Sequence, residues 1–183
     1  AGTQLGHEGT QSITLDAPQV LGVAATDAAD DEVRIVARNV SLRNSSGQAV
    51  SDEAAAQGQG VLRIEAQPVL TDGHTGGVTV ADSGAAGQRW GFDRTEVHST
   101  GDIVFSGKGV TIAKGDVQLD AARVTADSTS SQTLKSEGDL EITQATAGKS
   151  LNESLGAGGK LALEGRTLTQ AGTIDIDAGR LTL

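Results

Sequence analysis

The 183-residue chain contains no cysteine, no methionine and no tyrosine. Without cysteine there is no disulfide framework and no thiolate metal centre. The aromatic side chains are only Trp90, Phe92 and Phe105, whereas a compact domain of this length normally buries several rings at its centre. The core must therefore be assembled from Val, Leu, Ile and Ala, which suits a thin, repetitive interior. No apolar run approaches the length of a membrane-spanning helix. Cations are scarce, 14 Lys and Arg against 24 Asp and Glu, giving a formal net charge of −10. No basic run is present to displace counterions from phosphates or to hold an anionic lipid surface, so nucleic acid and membrane insertion are excluded as expectations. Proline is nearly absent at 2, and the N-terminus is neither a signal peptide nor an initiator Met. The chain thus reads as a segment of something larger.

What is abundant is glycine, 25 residues, together with Ser, Thr, Asp and Asn, a mixture that favours many tight turns. Between the turns a unit recurs: an aliphatic residue, another two later, a small residue at plus four and an aliphatic at plus seven. Ile13, Leu15, Ala17 and Val20 fit it, as do Val33, Ile35, Ala37 and Val40, and then Leu62, Ile64, Ala66 and Val69. The second half continues with Ile103, Phe105, Gly107 and Val110, and with Val117, Leu119, Ala121 and Val124. A weaker copy runs from Leu140 and Ile142 to Gln144 and Ala147. Leu161, Leu163, Gly165 and Leu168, then Ile174, Ile176, Ala178 and Leu181, complete the series.

Alternation at period two is the signature of a strand with one buried face. Gly-polar pairs at Gly101, Gly115, Gly138 and Gly159 precede several copies, and they predict corners at which glycine supplies a positive φ. Copies often begin about one solenoid turn apart: the step from Ile13 to Val33 is 20, from Val117 to Leu140 it is 23 and from Leu140 to Leu161 it is 21. Shorter steps of 14 (Ile103 to Val117) and 13 (Leu161 to Ile174) fit successive faces of one coil. The expected fold is all-β, a right-handed parallel β-helix, or solenoid, with extra-helical loops. About eight coils at roughly 4.8 Å each would give a rod near 40 Å long. The chain is expected to be a single β-helix segment over 1–183. It breaks at 24–32, at 44–60 with a helical turn in 52–57, and above all at 71–100, read as an extra-helical insertion.

That last stretch holds Trp90 and Phe92, and loops on a rigid solenoid are where binding usually resides. These two residues are the candidate binding pair, set against the plainer reading that they pack a flap onto the coil. His7, His74 and His98 lack zinc-ligand spacing, and the acidic group Asp27, Asp30, Asp31 and Glu32 lacks the glycine spacing of a calcium loop. No nucleophile elbow or phosphate-binding loop occurs; Lys149 and Ser150 follow Gly148 without the earlier glycine such a loop needs. Asp120, Asp175 and Asp177 lie on outward strand positions, where a glycosidase-like pair would have to align between rungs. Alternating outward charge is, however, what any solvated sheet face shows. No catalytic, cofactor-binding or metal-binding residue is assigned, and an enzyme is not expected.

The run from Gly138 to Leu183 resembles the haemagglutinin repeats of filamentous haemagglutinin-type adhesins. These are two-partner secretion exoproteins, a group that includes the shafts of contact-dependent inhibition toxins. The shared pattern, Gly-polar-Leu-x-Leu-x-Ala/Gly followed by Leu-Thr and a glycine corner, is carried by Gly138–Ile142, Gly159–Leu168 and Gly172–Leu181. The match extends over 101–183, is looser over 1–70 and nearly vanishes across 71–100. The resemblance implies a coil of about twenty residues, secretion to the bacterial cell surface through an outer-membrane partner, and attachment to a host-cell receptor or glycan. It implies a structural shaft segment of an adhesin fibre that needs no cofactor. The Asn-Pro-Asn start of a secretion domain is absent, which marks an internal segment. The competing expectations are the shaft of a contact-dependent inhibition toxin and a carbohydrate-active β-helix, either a polysaccharide lyase or a glycan-binding module.

Overall fold

A computed structural model describes residues 2–23, 31–49, 57–66, 76–146 and 155–183. The chain is a parallel β-helix. Among the described residues seven turns stack in order, each contributing to as many as three sheets. The first turn holds β1 (Thr3–Gly6), β2 (Ser12–Asp16) and β3 (Gln19–Leu21), and the second β4 (Glu32–Ala37) and β5 (Asn39–Arg43). The third holds β6 (Val61–Ala66), β7 (Gly77–Val80) and β8 (Gln88–Gly91), and the fourth β9 (Arg94–Ser99), β10 (Asp102–Phe105) and β11 (Lys108–Ala113). β12 (Asp116–Ala121), β13 (Arg123–Ala126) and β14 (Ser131–Ser136) make the fifth, and β15 (Leu140–Gln144) and β16 (Lys160–Glu164) the sixth. β17 (Leu168–Gln170), β18 (Ile174–Asp175) and β19 (Arg180–Thr182) make the seventh.

Sheet I runs β1-β4-β6-β9-β12-β15-β17, sheet II β2-β5-β7-β10-β13-β18 and sheet III β3-β8-β11-β14-β16-β19. Among the described residues two turns lack one strand. The second has none in sheet III, where β3 pairs directly with β8. The sixth has none in sheet II, where β13 pairs directly with β18. Seven turns at about 4.8 Å of rise make a stack roughly 30 Å long, shorter than the eight coils expected. The eight sequence copies are not eight coils, because they open on different faces. Val33, Leu62, Val117 and Leu140 start in sheet I, Ile13, Ile103 and Ile174 in sheet II, and Leu161 in sheet III. Each copy whose residues are all described is a strand, a corner and the start of the next strand, so the unit recurs wherever the chain turns. The two short steps, Ile103 to Val117 and Leu161 to Ile174, are not successive faces of one coil: each passes over one strand, β11 or β17, and ends in the next turn.

The interior is columnar. In sheet I, Val33 stacks on Leu62, then Thr95, Val117 and Leu140. Beside it Ile35, Ile64, Val97, Leu119 and Ile142 form a second column, all 0–1% exposed. In sheet II, Val40, Val78, Ile103, Val124 and Ile174 align. Burying one such side chain contributes roughly 1.5–3 kcal/mol before ordering entropy is subtracted.

Within the stretch 71–100, the described residues 76–100 belong to the coil and are not an extra-helical insertion. Residues 71–75, and with them His74, lie outside the described residues. From Gly77 to Ser99 the chain forms β7, β8 and β9, one in each sheet. It escapes the aliphatic pattern because several inward positions are polar and find backbone partners inside. The Gln88 side-chain amide donates to the carbonyls of Ala17 (3.3 Å) and Arg43 (3.2 Å). The Ser99 hydroxyl lies within hydrogen-bond reach of the Gly76 and Asp102 carbonyls. Gln132 repeats the Gln88 device two turns on, donating to Ala81 and Ser106. The expected breaks at 24–32 and 44–60 fall partly outside the described residues, as do the helical turn expected at 52–57, apart from Gln57, and the Lys149–Ser150 pair. Val69 and Ala147, the last members of two sequence copies, also lie outside them. Glu32 already belongs to β4.

The corner glycines also differ from expectation. Gly115, Gly138 and Gly159 are not among the residues with positive φ. A Cβ on Gly115 would strike the backbone of Asp93, and one on Gly159 the backbone of Asp127. What these positions require is close approach of one turn's backbone to the next, a use of glycine distinct from left-handed φ.

Candidate functional site

Trp90 and Phe92 are core residues, 0% and 1% exposed. Trp90 points inward from β8, in register with Val20 on one side and Ala113 on the other. Phe92 lies at the corner after β8, and a Cβ on Gly22 would fall 2.8 Å from its ring. Phe105 is likewise buried, between Val80 and Ala126. Each ring occupies a place where a stretch of chain stacked against it supplies a small residue, Ala113, Gly22 or Ala126. Neither candidate ring therefore presents a surface to a ligand; the flap reading fails too, because the rings fill the coil itself.

The densest polar arrangement is the outer face of sheet I. In register along the axis stand Arg34, Arg63, Glu96, Gln118 and Glu141, and beside them Glu65, His98, Asp120 and Thr143. Arg34 grips Glu65 with two N–H groups, the Nε contact measuring 3.0 Å. Glu96 is the hub, at 2.8 Å from Arg63, 2.7 Å from Arg94 and 3.5 Å from His98. Arg63 also reaches Glu32 at 3.5 Å. Burial pushes the Glu96 carboxyl upward, but the charge and hydrogen bond of Arg63, then Arg94 and His98, outweigh it and hold it below its ordinary value. The Glu65 carboxylate in turn raises Arg34 above its usual range.

His98 continues the chain to Asp120 at 3.3 Å, whose other oxygen accepts the Thr143 hydroxyl at 2.9 Å. Sequence reading missed this line because, apart from the contacts of Glu96 with Arg94 and His98 on its own strand, its members are 22 to 33 residues apart and meet only through rung register. An imidazole beside a carboxylate is the start of acid–base chemistry, yet here both sit on a flat sheet face. The neighbouring depression, about 180 Å³ and open to solvent, is lined by Arg94, Asp116, Val117, Gln118, Asp139 and Glu141. A carboxylate held ionised by two arginines is a poor general acid.

The other sequence candidates are dispersed. Asp175 approaches Arg123 at 3.4 Å, and Arg123 makes its closer contact, 2.7 Å, with buried Asp102. Asp120 is on sheet I and Asp175 on sheet II, so they make no pair. The His7 ring accepts the Gly9 amide at 3.0 Å in a local turn. Asp27 and Asp30 fall outside the described residues. Among the described residues no three His, Cys, Asp or Glu side chains are placed to hold a metal ion, and no helix is long and apolar enough to cross a membrane. Compared with known proteins, the chain matches no family model, no curated protein and no solved structure.

Proposed function

We propose that this chain is a structural shaft segment of a secreted bacterial surface adhesin of the filamentous haemagglutinin type, delivered by two-partner secretion. The single observation that carries the reading is the continuous stack of three parallel sheets around a filled aliphatic interior. Such a stack is stiff because each turn hydrogen-bonds to the next along the axis, and it extends by repetition without changing its cross-section. The outer-face carboxylates favour this role over hydrolysis, since Glu96, Glu65 and Asp120 are engaged by neighbouring side chains. Reach is the mechanism: the rod carries an attachment surface away from the cell that makes it.

The test is surface labelling of the source bacterium with antibodies to this chain, on intact cells, with and without external protease. Protease-sensitive labelling is expected, and it should vanish when the outer-membrane secretion partner is deleted. Labelling only after permeabilisation, or labelling that survives loss of that partner, overturns the proposal.

A further inference from the structure

The chain is acidic overall, and on the outer face of sheet I the arginines are matched with carboxylates. Sheet III is different. Its outward positions carry Lys108 on β11, Lys135 on β14, Lys160 on β16 and Arg180 on β19, all exposed. Among the described residues these are the only cations whose side chains have neither an ion-pair nor a hydrogen-bond partner. Register places three of them in one column, Lys108, Ser131, Lys160 and Arg180 on successive turns. A second column, Val110, Thr133, Ala162 and Thr182, forms a floor of small neutral side chains beside the first. Lys135 stands across that floor, with Glu164 as its neighbour on the next strand. Each of the four cations sits on a different strand, a full turn of chain from the next, so no basic run is visible in the sequence.

We propose that the outer face of sheet III is a docking surface for a linear carboxylated polysaccharide lying along the helix axis. Charge complementarity selects an anionic partner. Successive turns are about 4.8 Å apart, close to the advance of one sugar in an extended chain, so cations on successive turns meet carboxylates on successive sugars. The floor column carries only small neutral side chains, against which sugar rings can lie, and Thr133 and Thr182 bring hydroxyls to it. A single-stranded nucleic acid is the less suitable polyanion, because its bases need aromatic platforms, and Trp90, Phe92 and Phe105 are all buried. The inference names a ligand class for the attachment role proposed above and rests on that role for its biological meaning. The binding itself is read on the purified chain, so failure here and failure of surface display are separate results.

The experiment is titration of the chain with polygalacturonate at low ionic strength, with neutral dextran, oligo-dT and buffer alone as parallel arms. Saturable binding to polygalacturonate is expected, weakening as salt rises. Lys108→Gln, Lys160→Gln and Arg180→Gln should each weaken it roughly threefold to fivefold, and the triple variant should lose it. Arg166→Gln, on the corner beside sheet I, should leave it unchanged. All the substituted residues are exposed, and an unaltered Trp90 emission spectrum reports that the fold is intact. Absence of polygalacturonate binding, equal binding by the triple variant, or equal affinity for oligo-dT overturns the proposal. So does salt-sensitive self-association, in the buffer-alone arm, that the triple variant abolishes, because a second copy would then be the occupant.

Discussion

Trp90→Ala tests the packing most directly, because the chain has one tryptophan and its sequence context points to a surface role that the fold denies it. Trp90 is 0% exposed and stacks between Val20 and Ala113. An aromatic side chain of this kind buries roughly 200 Å², worth about 5 kcal/mol at about 25 cal/mol per Å². A compact unfolded chain and partial collapse of the hole lower that figure, so the expected loss is about 3–5 kcal/mol. Urea denaturation followed by circular dichroism measures it, and hydrogen exchange should show the loss concentrated in β3, β8 and β11. Turns contact mainly their neighbours, so distant turns should be affected less. In the parent chain, Trp90 emission should be blue-shifted and protected from iodide. Ala113→Leu alone should overpack the same space, costing about 1–3 kcal/mol. Combined with Trp90→Ala it should recover part of the loss, because residues in contact are not additive. A Trp90→Ala cost under about 1 kcal/mol, or emission typical of water, would refute the assignment of this ring to the core.

Four further outcomes follow from the same structure. Ile142→Asp places a carboxylate at a fully buried column position and should cost more than about 4 kcal/mol. Ile176→Asp, at a partly buried residue packed on the core between β18 and β19, should fray the last turn while earlier turns keep their exchange protection. Equal effects from the two would contradict the columns. Asp102→Asn breaks the 2.7 Å buried pair with Arg123 and should cost about 3 kcal/mol, the low end for such a break, because Asp175 still lies 3.4 Å from Arg123. Urea midpoints decide it. Acid should destabilise the chain. Lys114, against some opposing burial and with help from the Gly60 amide, holds Asp93 below its ordinary 3.8; burial opposes ionisation of Glu96, yet the arginines hold it below 4.5. Both folded pKa values lie under the unfolded ones, so their stabilisation is complete above those ordinary values and is lost as pH falls through the depressed ones. Melting temperatures should therefore be flat above about pH 5 and fall below about pH 4; a rise on acidification would contradict these pairings.

The strand pattern was legible because period-two alternation is local: Leu161 and Leu163, or Val117 and Leu119, announce an inward face within a single strand. The phase was not, because a unit made of strand, corner and next strand looks alike on every face. Turn length offers no clock either. In sheet II, Ile103 meets Val124 after the chain has passed through β11 and β12 alone. Val124 meets Ile174 only after β14, β15, β16 and β17 have intervened. Counting copies therefore overestimates the turns.

The missed features share one cause. Whether a tryptophan can lie inside is decided by Ala113, a full turn later in the chain and one strand away, and for Phe105 by Ala126 in the same relation. Whether Gln88 is acceptable inside is decided by the carbonyls of Ala17 and Arg43 on earlier turns. The sheet I charge line, beyond the contacts Glu96 makes within β9, and the sheet III cation column arise in the same way, through residues that become neighbours across rungs. In a solenoid the inward-or-outward choice is written along the chain, but the chemistry of a site is written across it. A reading of one strand at a time recovers the first and loses the second. Once register is known, the same residues sort into a face whose charges neutralise one another and a face whose cations do not.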